Sequence, residues 1–254
     1  MIDLIVFNVA GNRYAMNIEN VQRIIQAETL TNIPNAHEHI DGMMSYEDKI
    51  IKVLSFRKLT GMKTYAFELA ELFASLAKTH EEWINSLRVS IENGSNFNKT
   101  FDPHACGLGK WIDSFTAYDD QVVKVLKELV EYHKQLHVTG GVAYELRLSD
   151  KEKALDMLNV DIMNIYQHTT GALKLFVQEL DVVADSLQKL LIYDNSGTVF
   201  AIKVDAIEDI AHVSEQEFKT ANDEHEVCDH LELDGVLDLN GVLINVIKTV
   251  KLPK

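Results

Sequence analysis

The hydrophobic period of this chain changes twice, and that constrains its fold more than any single motif. In residues 1–63 apolar side chains come in short runs broken by turn residues. In 64–188 they recur at three- and four-residue steps, and from 189 the short runs return. A strand repeats every two residues and a helix every 3.6, so one backbone geometry cannot serve both patterns. The order is therefore strands, long helices, strands.

In the first block, LIVFNV (4–9) and RYAMNI (13–18) flank the turn signal Gly11-Asn12, and KIIKVLS (49–55) is a further strand before Gly61. Asn20 to Ile25 fits either a short helix or an extended piece. In the middle block one apolar stripe runs through Tyr65, Leu69, Leu72, Phe73, Leu76, His80, Trp83, Ile84, Leu87 and Ile91 and stops at Asn93-Gly94-Ser95. A second carries Val122, Leu126, Leu129, Val130, His133 and His137 and is interrupted by Gly140-Gly141. A third starts at Ser149, with Glu152 at capping-box spacing, and runs from Leu155 through Ile162, Tyr166, Leu173 and Phe176 to Leu187. At 1.5 Å per residue these helices are roughly 40–55 Å long. Long helices with one apolar stripe each make an antiparallel bundle.

In the last block LLIYD (190–194) and TVFAIKV (198–204) flank Asn195-Ser196-Gly197, and HLELD (230–234), VLDL (236–239) and VLINVIK (242–248) follow, with Gly235 and Asn240-Gly241 as turns. A block of about 60 residues of strands would be marginal alone. The simplest organisation is one β domain in two parts, 1–63 and 189–254, interrupted by a helical domain over 64–188. Loop tips accept such insertions when their ends lie close together. Three independent pieces are the alternative.

Charge narrows the function. Lys plus Arg is 24 against 39 Asp plus Glu, a formal net charge of −15. Sequence-independent nucleic-acid binding needs the opposite sign, as does an anionic membrane surface. No apolar run reaches the roughly 18 residues of a transmembrane helix. MIDLIVFNVAGNRYAM has no basic start before its apolar run, so no signal peptide is expected. Two cysteines make no disulfide framework, and a reducing cytoplasm is the expected location. Phosphate-loop, dinucleotide and nucleophile-elbow motifs do not occur.

Four residues of the helical block stand out. His80 sits on the first stripe. His133 and His137, at i and i+4, share one face of the second. Cys106 lies between them in FDPHACGLGKW (101–111). Three imidazoles and a thiolate closing a tetrahedron between helices suit Zn2+, and a metal offsets the cost of burying imidazoles without partners. A zinc enzyme is the rival reading, but four protein ligands leave no open position and no H-E-x-x-H is present. The other reading is a purely structural zinc with no sensing.

H-x-x-W at His80–Trp83, C-x-L-G-K-W at Cys106–Trp111 and H-x-x-x-H at His133–His137 together resemble the bacterial chemoreceptor zinc-binding (CZB) family over about 65–187. The resemblance implies that His80, Cys106, His133 and His137 are the zinc ligands. It also implies that Gly109 and Trp111 shape the segment presenting the cysteine, with Trp83 supporting the site. In that family the zinc–thiolate is regarded as a sensor of zinc or of oxidants such as hypochlorous acid. Cys106 would then be the redox switch. Gly107 and Gly109 leave its segment mobile, and a thiolate is the oxidisable form. His104 could be a supporting group or an alternative ligand, or a surface histidine.

The flanks resemble the CheW-like chemotaxis coupling domain. LIVFNVAGNRYAMNIENVQRII (4–25), HIDGMMSYEDKIIKVLSFRKLTG (39–61), TVFAIKVDAIEDI (198–210) and LDGVLDLNGVLINVIKTVKL (233–252) carry the likeness, with Ala201 at a usual glycine and Val204-Asp205 retained. The family fold is two small five-stranded β-barrels. It couples chemoreceptor signalling tips to the regulatory domain of a histidine kinase without catalysis of its own. The expected architecture is therefore multidomain α+β: a split CheW-like double β-barrel scaffold with an inserted antiparallel zinc-binding helix bundle. The expected function is a zinc- or oxidant-responsive, non-enzymatic signalling adaptor. Glu47-Asp48 stands where the family has Arg-Gly, and Ser55 where Asp is common, although Arg57-Lys58 persists. Glu47, Asp48 and Arg57 are the candidate partner surface. A reversed charge there can abolish old contacts. The bundle also offers a surface through which two copies could pair.

The remaining signals are plainer. His225-x-x-Cys228-x-His230 matches no common zinc spacing and fits a solvated acidic loop. His37 and His39 flank Glu38 and are expected in a loop, and the acidic residues of 205–238 in a solvated face.

Overall fold

The computed structural model describes residues 1–28, 30–214, 218–220, 226–239 and 241–253. The chain divides into two compact units, Met1–Tyr65 with Ala184–Lys254, and Ala66–Val183. No described helix is long and apolar enough to cross a membrane.

The first unit is built of strands. In chain order they are β1 (Ile2–Val9), β2 (Asn12–Asn17), β3 (Val21–Gln26), β4 (Ile40–Tyr46) and β5 (Lys49–Ser55). After the helical unit follow β6 (Lys189–Asn195), β7 (Thr198–Val204), β8 (Ala206–Val213), β9 (Phe218–Thr220), β10 (Glu226–Cys228), β11 (Leu231–Leu239) and β12 (Val242–Val250). The ambiguous stretch after β2 is one 3-10 turn, Ile18–Asn20, capped by Asn17, and then the extended β3. One sheet has the order β3-β6-β7-β5-β4. The other follows β10-β11-β12-β2-β1-β8, with β9 also on β11. Each sheet joins strands from both parts of the chain, so neither part can complete a sheet alone.

Five strands are found in the first sheet as expected, and seven in the second among the described residues. The additions are the short β9 and β10, on a stretch with no apolar alternation to announce them. Gly235, expected as a turn, lies inside β11 where the register shifts against β12. A bulge accommodates glycine without ending the strand.

Alternation explains why two sheets make one body. In β1, Leu4 and Val6 point to one apolar cluster and Ile5 and Phe7 to another. In β6, Leu190 and Ile192 face one way and Leu191 and Tyr193 the other. The shared side gathers Phe7, Tyr14, Phe56, Tyr193, Phe200 and Ile247 from both sheets into the main core. Strands buried on both faces read as continuous apolar runs.

Arg57 corrects an expectation. It lies in α1 (Phe56–Leu59), and its side chain is only 3% exposed. Its Nε and Nη2 donate to Asp205 at 2.8 and 2.6 Å, and Nη1 donates to the Lys63 carbonyl at 2.9 Å. Asp205 also accepts from the Ala10 amide at 2.7 Å and from Gln188 at 3.0 Å. Arg57 is therefore an internal tie rather than a partner surface, and Asp205 is not part of a solvated face. Lys203 is similarly enclosed between Asp41 at 2.5 Å and Asp185 at 2.8 Å. Burial opposes its charge, but the two carboxylates more than offset this and raise its pKa.

The helical unit contains most of α2 (Tyr65–Asn93), then α3 (Gly107–Ser114), α4 (Asp120–Leu146), α5 (Lys151–Met157) and α6 (Met163–Gln178). It ends within α7 (Leu180–Leu187). The third helical pattern is thus interrupted, by a π turn at Leu158–Ile162 and a break at Glu179. Its cap is Asp150, which accepts from the Lys153 amide at 3.0 Å, and not Ser149. Helix α4 runs straight through Gly140-Gly141. A Cβ at Gly140 would lie 2.3 Å from the Trp83 ring, so this glycine is a contact point and not a breaker. His80 meets His133 and Trp83 meets Gly140, so α2 and α4 run the same way. Residues 94–119 must return along the bundle between them, and α3 lies on that return. Helix α6 runs against α2, with Phe176 on Phe73 and Asn159 on Arg88.

Candidate metal centre

The four residues singled out from the sequence converge. His80 on α2, His133 and His137 on α4 and Cys106 at the start of α3 bring one ligand atom each to within 4.8 Å of one another. Cys106 Sγ lies 3.2 Å from His133 Nε2 and 3.8 Å from His80 Nε2, and the two nitrogens are 3.1 Å apart. A tetrahedron with Zn–N near 2.0–2.1 Å and Zn–S near 2.3 Å has edges of about 3.3–3.6 Å. The donor set and spacing fit a four-coordinate zinc.

The surroundings keep the imidazoles as ligands. His80 Nδ1 donates to the Leu76 carbonyl at 2.8 Å, which leaves the Nε2 lone pair for the centre. Burial first, then the neighbouring histidines, push His133 down to about 3. Burial, then His80, push His137 down to about 4. Burial also lowers His80. His137 is fully buried, and neither ring nitrogen makes a well-formed hydrogen bond, the Thr100 carbonyl interacting with the ring only weakly enough to leave burial in control. Two unsatisfied polar atoms at 0% exposure would be costly, and a metal removes one of them.

Cys106 is placed by its own backbone. It caps α3, with Sγ accepting from the Gly109 amide at 3.3 Å. Burial pushes the thiol up, while the Gly109 and Leu108 amides oppose this. Gly109 is needed because a Cβ there would lie 1.7 Å from the Pro103 carbonyl oxygen. The Gly109→Ala variant should therefore bind zinc at least about tenfold more weakly, through displacement of the turn that aims Cys106. Gly107→Ala, whose Cβ meets only the flexible end of Leu76, should lose much less. A competition titration with a zinc chelator checks both.

Of the expected supporting residues, Trp83 packs its ring 5.0 Å from that of His137, and its Nε1 donates to the Thr100 carbonyl at 2.8 Å. Trp111 meets no ligand, but its contacts with Phe73, Phe115 and Phe176 seat α3 on the bundle. His104 does not join the four converging donors, although its charge acts on His133. It is exposed and pairs with Asp113 at 2.9 Å, because it precedes the turn that points Cys106 inward. Glu47 and Asp48 form the exposed tip of the β4–β5 hairpin, with Glu47 at φ 51°. Of the His225-x-x-Cys228-x-His230 run, His225 and the Cys228 side chain lie outside the described residues.

Comparison with known families agrees with this geometry. Residues 3–75 match the CheW-like domain, and 80–144 match the chemoreceptor zinc-binding domain. The chain joins these two domains. The zinc-binding match begins at His80 and contains all four converging residues. It is narrower than the helical unit, and the CheW-like match stops before the second β part. That part joins the fold by pairing β6 with β3 and β7 with β5. The result is a CheW-like fold of two sheets with the zinc-binding segment inserted after the first β part. A solved structure, the scaffolding protein TtCheW from Thermoanaerobacter tengcongensis, aligns over 98% of this chain and 90% of its own, at 11% identity and a TM-score of 0.46. Curated proteins give no match.

Proposed function

We propose that this chain is a cytoplasmic, non-enzymatic chemotaxis adaptor, and that the state of a zinc held by His80, Cys106, His133 and His137 sets its contacts with partners. The convergence of three neutralised imidazoles and one thiol within 4.8 Å carries this reading. Four protein donors leave no position for substrate, which favours binding over catalysis. The scaffold would comprise 1–63 and 189–254, and the zinc-binding bundle 64–188. Its partners would be chemoreceptor tips or a histidine kinase regulatory domain, approached through the Glu47-Asp48 hairpin tip. Exposed Ile50 beside that tip supplies apolar area.

Oxidant sensing follows from Cys106 being half-buried and the only anionic donor of the set. With hypochlorous acid, the thiolate sulfur would take the chlorine and release hydroxide. Water would then displace chloride to leave a sulfenic acid. The sulfur loses two electrons and the chlorine gains them. The cluster loses its only charge, and its hold on a cation falls.

The test is capture of the full chain by a kinase regulatory domain, with zinc, after zinc removal and after hypochlorous acid. Binding that changes at least about fivefold between these states, and loses its oxidant response in Cys106→Ser, is expected. Equal binding in all three states would leave only a structural ion. Glu47→Arg measured alongside reports whether the hairpin tip is the contact.

A further inference from the structure

A second histidine cluster lies in the β unit, remote in sequence from the first. His37 and His39 come from the connection between β3 and β4, and His230 from the turn between β10 and β11. Their ring centroids are 4.8, 5.2 and 5.7 Å apart. The three imidazoles of the first cluster are separated by 4.8, 5.1 and 5.8 Å. The two triangles are nearly the same, and ligand nitrogens of the second also lie within 4.8 Å of one another.

The main chain holds all three in place. The His39 carbonyl accepts from the Ser55 amide, the His37 carbonyl from the Ile40 amide and the His230 carbonyl from the Lys251 amide, each at 2.9 Å. These residues are thus anchored at the ends of β5, β4 and β12, and the side chains converge without freezing long flexible arms. His39 Nδ1 is buried without a hydrogen-bond partner. His37 Nδ1 accepts only a long 3.3 Å bond from the His39 amide, which is cheap to exchange for a stronger donor–acceptor contact. A pocket of about 640 Å3, lined by Glu38, His39, Lys58 and Thr60, borders the cluster at His39.

We propose that His37, His39 and His230 form a second metal site, which takes a borderline divalent transition ion such as Zn2+, Ni2+ or Cu2+. Three imidazoles, with no thiolate and only the largely exposed Glu38 carboxylate 3.9 Å from His39 Nε2, select such ions over Mg2+ or Ca2+. With three protein donors the fourth position belongs to water or an external ligand entering by the pocket. An ion there clips the connection before β4, in one sheet, to the start of β11, in the other. It therefore stabilises the β unit independently of the helical centre.

The probe is Co2+, added to full-length chain free of any histidine tag and stripped of metal. Two equivalents are expected. One shows a thiolate-to-cobalt charge-transfer band, and the other shows only weak ligand-field bands. His37→Gln and His230→Gln should each weaken the second equivalent at least tenfold and leave the charge-transfer band intact. Circular dichroism identifies which variants are folded, and two loop positions guard against the loss of one. A single equivalent in the wild type, or a second equivalent undiminished in either folded variant, overturns the proposal. The charge-transfer band reports separately on the cysteine centre, so failure of one site is distinguishable from failure of the other.

Discussion

Replacing His137 by leucine is expected to stabilise the metal-free chain and destabilise the zinc-loaded one. In the metal-free state neither nitrogen of the fully buried ring makes a well-formed hydrogen bond, and only the Thr100 carbonyl interacts with it. Each such atom costs about 1–3 kcal/mol. Leucine is apolar and close to histidine in volume, and its fit beside Trp83 offsets part of the lost ring contact. A rise in the metal-free Tm of several degrees follows. With zinc the sign reverses. Removing one of four ligands should weaken binding by at least about 100-fold, and at an ion concentration of 100 Kd this forfeits at least about 2.3 of the roughly 2.7 kcal/mol that the ion supplies. Cys106→Ser should show the second effect without the first, since its thiol already has polar neighbours. Thermal melts with and without chelator, beside zinc content, read both. A His137→Leu protein that melts lower than wild type without metal, or keeps its zinc, would sink this account of the site.

The helical centre was legible in the sequence because its ligands sit on periodic elements. An i, i+4 pair on an apolar stripe has one geometry, and His80 falls in phase on the other helix. The cysteine could be chosen because glycines flank it. What the sequence could not show was contact between elements. The pattern of Gly140-Gly141 is the same whether the helix stops or a tryptophan packs against it, and only the neighbour at 2.3 Å decides. Arg57 reads as an exposed cation on a short helix until Asp205, far along the chain, is placed against it. His230 lies about three quarters of the chain's length from His37 and His39, and strand pairing alone brings them together. In each case the missing term was a tertiary partner, and periodicity carries no information about that.

Acidifying the metal-free chain is expected to unfold the helical unit before the β unit. His133 and His137 are held at about 3 and about 4 in the fold, against an ordinary value of 6.5. Below 6.5 the unfolded chain binds protons that the fold refuses, so stability is complete above that pH and lost as pH falls toward 4. At pH 4 each histidine has cost about 3 kcal/mol, with some overlap because the two rings repel each other once charged. That is a large fraction of a domain's total stability. In the β unit burial lowers His39 as well, but it is one histidine against three in the helical unit, and Lys203, shifted upward, adds nothing to the acid loss. The chain's two tryptophans, Trp83 and Trp111, both lie in the helical unit, so fluorescence reports that unit alone. Its transition should fall between pH 6.5 and 4 without metal. Bound zinc competes with protons for the same nitrogens and should move the transition to lower pH. His137→Leu removes one of three rings that burial holds neutral, beside His80 and His133, and should reduce the pH dependence without abolishing it. A fluorescence midpoint below pH 4 in the metal-free wild type would mean that these rings are not held neutral by the fold, and the argument for a ready-made ligand set would fail with it.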